Sequence, residues 1–442
     1  MATLERALVA LSDLVWGPPL LLLLVGTHLY LTVRTRGVQR FVVRGIRWSI
    51  QRGEAGEGDV SQFGALATAL AATIGTGNIV GVSTAVAAGG PGAVLWMWLT
   101  GVLGIATKYA EALLAVRYRV RTPQGVMSGG PMYVLERALG MRRTALAFAA
   151  FTAVAAFGIG NMVQANSIAA LARESFAVPP WVTGMVLTGA TAAVVLGGIT
   201  AIANVCTVLV PFMAIWYLGG CLLLLIHHAA ELPAAVRVIL ESAFTGQAAV
   251  GGFAGAGVRE AMRYGVARGL FSNESGLGSA PIVAAAARTP DPVRQALIAS
   301  TGTFWDTVVV CLMTGLVVVA SGHWREGLAG AQLTRAAFGD LPVVGPAALT
   351  VGLLTFVFST ILGWSYYGEK AVEYLAGPRA VRPYRFAWVG AVFAGSVLSL
   401  PAVWAFADAA NGLMAIPNLV ALLLLGHVVA DETRRHLEGR PR

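Results

Sequence analysis

Charge is scarce in this sequence: only 12% of its 442 residues are Asp, Glu, Lys or Arg, against 57% hydrophobic residues and a mean hydropathy of +0.71. A soluble chain of this make-up could not cover its own surface, so a water-soluble multidomain protein is excluded. Cysteine is rarer still. Cys206, Cys221 and Cys311 sit in apolar stretches and no two have metal-ligand spacing, which leaves neither a disulfide framework nor a zinc site. The six histidines, His28, His227, His228, His323, His427 and His436, are placed by the pattern near span ends or in loops, with no ligand-spaced cluster. The formal net charge of +9 does not imply nucleic acid, because the basic residues never gather into a groove-sized block with interleaved aromatics. No nucleophile stands beside a base, so the expectation is not an enzyme. Ahead of the first apolar run, Glu5, Arg6 and Asp13 replace the basic start of a signal peptide and no small-residue cleavage pattern follows, so that run reads as a retained span.

What the sequence has is long apolar runs. They fall at 14–33, 63–88, 93–116, 145–170, 181–199, 204–226, 258–287, 295–320, 345–372, 384–402 and 404–429. At about 20 residues per crossing, these eleven leave pieces too short for a separate globular domain. None has the short alternation of a barrel strand, and backbone groups in hydrocarbon must bond within their own segment, so the expected fold is an all-α integral membrane bundle of about eleven helices. Of the 31 Lys and Arg, 22 lie in the loops 34–60, 117–143, 288–294, 370–385 and 434–442, which share one side if there are eleven spans. The positive-inside rule then puts the amino terminus outside and the carboxyl terminus in the cytoplasm.

Two runs are interrupted. One reads Thr73-Ile74-Gly75-Thr76-Gly77-Asn78 and the other Gly269-Leu270-Phe271-Ser272-Asn273-Glu274-Ser275-Gly276-Leu277-Gly278-Ser279. Glycine costs a helix about 1 kcal/mol relative to Ala, and a mid-membrane carboxylate costs several, so both helices are expected to open there. Each opens a set of five runs, which sets halves at 61–230 and 231–430, inserted with opposite orientation. Residues 1–60 add a helix and a loop, and 431–442 form a tail. Gly-interrupted segments at matching places of inverted halves point to the binding site of a secondary transporter.

An opened turn at Gly75–Asn78 offers amides to an anion and carbonyls to a cation, whereas small-residue helix packing is the plainer explanation. Glu274 is expected either to brace the broken backbone, to carry an ion or proton, or to pair with Arg263 or Arg268 near the interface. Asn161 and Gln164, three apart in Gly158–Asn166, would share a helical face, free for a substrate or for a neighbouring helix. Asp306 is a candidate for cation binding or pairing. Ser359 and Thr360 provide adjacent hard hydroxyl oxygens suited to Na⁺, although either could instead bond its own helix, and Trp364 one turn on could wall a pocket. Lys108 and Glu111 read as a local interfacial pair, and Glu369, Lys370 and Glu373 end a span in the same manner.

The strings Ala71-Ala72-Thr73-Ile74-Gly75-Thr76-Gly77-Asn78, Gly89-Gly90-Pro91-Gly92-Ala93, Ala106-Thr107-Lys108-Tyr109-Ala110-Glu111, Gly129-Gly130-Pro131-Met132-Tyr133, Gly158 to Asn166 and Phe271 to Pro281 occur in the order in which they closely resemble the alanine or glycine:cation symporter family. The resemblance covers about residues 15 to 430. It implies a LeuT-like five-plus-five inverted repeat with one extra amino-terminal helix, in the plasma membrane of a prokaryote. It implies Na⁺-coupled uptake of alanine or glycine. The substrate site would be Thr76, Gly77, Asn78, Gln164, the backbone of Phe271, Ser272 and Asn273, and Thr360 with Trp364. The carbonyls of Ala71 and Ile74 with the hydroxyls of Ser359 and Thr360 would hold Na⁺, and Glu274 and Asp306 remain as coupling or structural groups. Proton coupling through those two carboxylates is the nearest alternative; a channel would need charged rings that the spans lack.

Overall fold

The structure is a computed structural model that describes residues 2–51, 56–245, 257–398 and 401–437. Parts of four expected segments lie outside the described residues: 52–55 of the loop 34–60, 246–256 of the half 231–430, 399–400 of the run 384–402 and 438–442 of the tail. The described part of every apolar run coincides with a helix or a helix pair, and one further helix, Gly330–Gly339, lies between two runs. In chain order these are α1 (Pro18–Arg34), α2 (Gln62–Thr73), α3 (Gly77–Gly89), α4 (Ala93–Arg117), α5 (Arg142–Glu174), α6 (Pro180–Val195), α7 (Gly198–His227), α8 (Val258–Asn273), α9 (Pro281–Ala284), α10 (Pro292–Ala320), α11 (Gly330–Gly339), α12 (Val344–Ala376), α13 (Val381–Val397) and α14 (Pro401–Leu424).

Among the described residues, seven helical spans are individually long and apolar enough to cross a bilayer, the first counted from Arg6 through α1 to Arg34, and α2 with α3, bent by 54° at the break between them, makes an eighth. The others are short. The 16 residues of α6 and the 17 of α13 reach about 25 Å at 1.5 Å per residue, below the ~30 Å of a hydrocarbon core. The run 181–199 stops at Val195 because Gly198 takes φ +71°, a left-handed turn that starts α7. Packing explains the rest of the pattern. On α7 Cys206, Met213 and Tyr217 are buried while Val208 and Ile215 are over 70% exposed, so one stripe packs inward and the other is left to lipid.

The basic loops gather at one end of the bundle. There His436 faces Asp291 at 3.2 Å, Trp48 meets the His436 ring edge-on, and Arg117 pairs with Glu432. The segment 57–60 runs beside 286–289, with Val60 bridging Ala287 in parallel. Asp59 N–H donates to the Ala286 carbonyl at 2.8 Å and Arg288 N–H to that of Val60 at 2.7 Å.

Candidate functional site at the two helix breaks

The first break begins where α2 runs out of helical geometry: Ile74 is extended, at φ −75° and ψ 99°, and α3 then starts with a wide π turn over Gly77–Gly81. Asn78 closes the break, its Oδ1 accepting from the Gly75 N–H at 2.8 Å. Two more π turns, at Gly158–Met162 in α5 and Phe304–Cys311 in α10, interrupt other helices of the bundle. Such turns leave ladder groups free and are common at functional sites.

The second break begins at Glu274, a non-glycine residue at φ +54° that ends α8 in left-handed geometry. Glu111 on α4 then holds the loop: its Oε1 accepts from the Gly276 and Gly278 N–H groups, both at 3.0 Å, and from Asn418 Nδ2 at 2.6 Å. Gly278 stands at φ +85° and a Cβ there would come within 2.7 Å of Pro131, so only glycine fits.

Asp306, fully buried at the π turn of α10, joins the two breaks. One carboxylate oxygen accepts from Asn78 Nδ2 at 2.7 Å, the other from Ser272 at 2.9 Å and Thr307 at 2.6 Å. Cys311 lies within 3.4 Å of Asn78 and 3.3 Å of Ser272. Gly77 touches the other side of α8: a Cβ on it would lie 3.4 Å from the Phe271 ring and 3.5 Å from Ser272 Cα. The amide-rich start of α3 and the carbonyl-rich end of α8 are therefore adjacent.

The α12 hydroxyls face the first break. Ser359 Oγ is 3.0 Å from the Ala71 carbonyl, and Thr360 Oγ1 is 3.4 Å from that of Ile74; each also reaches the Phe356 carbonyl within its own helix, at 2.8 and 2.9 Å. Two hydroxyl–carbonyl pairs therefore join α12 to the end of α2. Gly363 permits this approach, because a Cβ on it would come within 2.7 Å of Ala72. A Cβ on Gly75 would lie 2.8 Å from Thr360 Oγ1 and 4.0 Å from Gln164 Oε1, which ties this cluster to α5. Gln164 donates to the Ile159 carbonyl at 2.9 Å, and among the described residues its buried Oε1 has no partner. Trp364 packs against Gly160, donates from Nε1 to Glu274 at 3.0 Å, and meets Tyr367 edge-on. On the other side of the breaks from the basic end, Thr76, Gly77 and Phe271 open onto a cavity of ≈390 Å³ shared with Glu174, Arg268 and Arg335.

Several expectations change. Asn161 does not join Gln164: the π turn between them rotates it away, and it donates to the Trp388 carbonyl at 2.9 Å. Asn78, expected at the substrate site, turns its side chain to Asp306, as does Ser272, and Asn273 Oδ1 caps the Ser275 N–H at 2.9 Å; the backbone of Phe271, Ser272 and Asn273, which is the part expected to act, is not engaged by these contacts. Glu274 finds Trp364 and Ser279 rather than Arg263 or Arg268. Lys108 and Glu111 do not bond each other locally: Glu111 Oε1 is taken by the distant loop, and among the described residues neither Glu111 Oε2 nor Lys108 Nζ has a hydrogen-bond partner. His28 is fully buried and bonds Thr107 at 2.6 Å, so it is not at a span end. Glu369 pairs with Arg385 at 2.7 Å, while Lys370 and Glu373 do pair locally at 2.7 Å. Glu111 is the functional residue the sequence did not point to: it read as interfacial, and no local pattern shows that it holds the second break.

Two broken helices crossing a helical membrane bundle beside a shared polar centre define the class: a multi-pass transporter of the LeuT-like fold. A solved structure of MhsT in complex with L-phenylalanine has the same fold, with a TM-score of 0.55 at 13% identity, covering 85% of this chain and 98% of that one. The model of the sodium:alanine symporter family matches residues 1–441, and the chain belongs to that family, whose members are transporters and not enzymes. It is 52% identical over 441 residues to an uncharacterized transporter of Haemophilus influenzae, covering 99% of this chain and 97% of the relative. It is 50% identical over 440 residues to the sodium/alanine symporter AgcS of Methanococcus maripaludis, covering 97% and 96%. A Bacillus subtilis relative named as a putative sodium/proton-dependent alanine carrier protein is 36% identical, covering 94% and 89%.

Proposed function

We propose that this chain carries alanine or glycine into the cell together with Na⁺, by alternating access around the two breaks. The carrying observation is the convergence of the Ala71 and Ile74 carbonyls with the Ser359 and Thr360 hydroxyls, four hard oxygens of the kind Na⁺ prefers. Na⁺ enters as cargo, replacing the hydroxyl-to-carbonyl hydrogen bonds with its own contacts. The neighbouring helix ends suit a zwitterion: amides at Thr76 and Gly77 receive the carboxylate, while the carbonyls of Phe271, Ser272 and Asn273 and the unpartnered Gln164 Oε1 receive the ammonium. Trp364 closes the pocket, and Thr360 borders both guests. In this reading Asn78 and Asp306 keep the breaks in register, and Glu274 holds Trp364. Membership of the family and the name of the Methanococcus relative support the choice of substrate and ion.

The halves 61–230 and 231–430 move against each other. The amino terminus lies outside and the basic end faces the cytoplasm of a prokaryote, where the membrane potential contributes about 2.3 kcal/mol per charge per 100 mV to Na⁺ entry, in addition to its concentration gradient. The test is uptake of labelled alanine and glycine into proteoliposomes under an imposed Na⁺ gradient or an imposed proton gradient, for the wild type and Ser359→Ala. Na⁺-driven uptake that falls at least about tenfold in the variant, the loss of roughly one good ligand contact, is expected. Uptake driven by protons alone would refute the Na⁺ reading and transfer coupling to Glu274 or Asp306.

A further inference from the structure

Two buried polar side chains have no part in that cycle. Lys108 on α4 is 3% exposed and Gln295 on α10 is 0% exposed. Among the described residues, neither Lys108 Nζ nor either amide atom of Gln295 has a hydrogen-bond partner. A buried ammonium and a buried amide without partners are costly, and they persist where something else meets them during function.

Both line one small cavity, with room for about one water molecule. Its walls are Ala65, Ala69 and Thr73 of α2 and Ala280, Pro281 and Ala284 at α9. These are the two arms that run from the breaks to the basic end. At that end the arms are tied: the Arg119 guanidinium donates to the Ala285 and Ala287 carbonyls at 3.0 and 2.8 Å and to those of Glu57 and Thr289 at 2.9 and 2.8 Å. It thereby staples the parallel pairing of 57–60 with 286–289. The breaks are open on one side, toward the ≈390 Å³ cavity, and closed on the other. Lys108 and Gln295 stand in the closed route.

We propose that Lys108 and Gln295 form a release subsite for the carboxylate of the transported amino acid. The inference rests on the transport reading above. When the Arg119 tie opens and the arms part, the cavity widens beside Thr73, one residue from the first break. A zwitterion leaving the amides of Thr76 and Gly77 then meets an ammonium and an amide N–H that nothing else occupies, while the amide oxygen accepts from the substrate ammonium. A charge-assisted contact in a site of low dielectric is strong.

The test compares the two faces in oriented proteoliposomes. In Lys108→Met and Gln295→Leu the half-saturating alanine concentration at the basic face is expected to rise about tenfold, while that at the opposite face stays within about twofold of wild type. Lys108→Arg keeps the charge and is expected to stay within roughly threefold of wild type at both faces. Equal changes at both faces, or no change in Lys108→Met, would overturn the proposal. A second measurement does not need transport. Lys108→Cys, in a background with Cys206, Cys221 and Cys311 replaced by alanine, is expected to react with a membrane-impermeant thiol reagent from the basic face only, and faster when Arg119→Ala is added. Reaction from the opposite face, or none in either background, would also overturn it. Absence of alanine uptake by the wild type would refute the transport reading, and the cysteine measurement would still decide where Lys108 opens.

Discussion

Asp306 illustrates how a single buried acceptor sets a polar centre. Its two oxygens take hydrogen bonds from Asn78, Ser272 and Thr307, so the ends of α3 and α8 are fixed to each other through one side chain. Removing it strips Thr307 of its acceptor and leaves Asn78 and Ser272 with only long contacts, to Cys311 and the residue-306 carbonyl; a buried donor left unsatisfied costs about 1–3 kcal/mol. Asp306→Ala is accordingly expected to lose several kcal/mol of stability and alanine binding with it, read as a lower midpoint of thermal unfolding in detergent. Asp306→Asn keeps one acceptor oxygen and is expected to fall between the alanine variant and wild type. An unchanged midpoint in Asp306→Ala would remove it from the centre. Trp364 has the same logic in reverse: a large donor side chain is held by Glu274 on one edge and admitted by the missing Cβ of Gly160 on the other. Its place in the sequence shows only an aromatic near two hydroxyls.

Elements, rather than residues, carry the second break. The loop between α8 and α9 has a non-glycine residue at φ +54° and glycines at φ +95° and +85°, and the amides of Gly276 and Gly278 would lose their acceptor without Glu111. Glu111→Ala is expected to speed hydrogen exchange of residues 275–279 and to cost about 2–5 kcal/mol, whereas Glu111→Gln retains the Oε1 acceptor and is expected to lose less. If the main task of Glu111 were to neutralise Lys108, the two variants would be equally damaging. The interrupted character of both helices was legible, because glycines and a carboxylate at mid-span contradict a continuous apolar helix. That Glu111 holds the second break was not. Its three partners lie 165, 167 and 307 residues away, and no local pattern predicts which acceptor crosses such a distance. The nearest candidate, Lys108 one turn back, was the wrong one for that reason.

At the scale of the whole molecule, the end opposite the basic loops holds a titratable latch. His323 donates or accepts at Asp340 and Glu326, both at 2.8 Å, while His228 reaches the other Asp340 oxygen at 3.0 Å with Glu231 at 4.0 Å and Arg325 adjoining in sequence. The Asp340 hydrogen bond, followed by that of Glu326, raises His323 above its ordinary 6.5 against the opposing effect of burial. A raised value means that the charged form is favoured on folding. Its contribution is complete below pH 6.5 and is lost as pH rises through the raised value. Thermal midpoints measured across that window are expected to fall with rising pH in the wild type and to flatten in Asp340→Asn. Since Asp340 follows α11, whose Arg335 pairs with Glu174 beside the open cavity, the latch bears on the element that borders the entrance.

By itself the sequence determined the membrane class, the apolar runs that become helices and the two interruptions, while the set of Ala71, Ile74, Ser359 and Thr360 was implied by the family resemblance. The first three follow from hydropathy and helix propensity, which act over neighbouring residues and can be read along the chain. Tertiary structure decided which polar groups face each other: Asn78 turned to Asp306, Asn161 to Trp388, Glu274 to Trp364, and Lys108 and Gln295 left without partners. A buried polar group takes whichever complementary atom the packing of other helices brings within about 3 Å, and that choice is made across hundreds of residues.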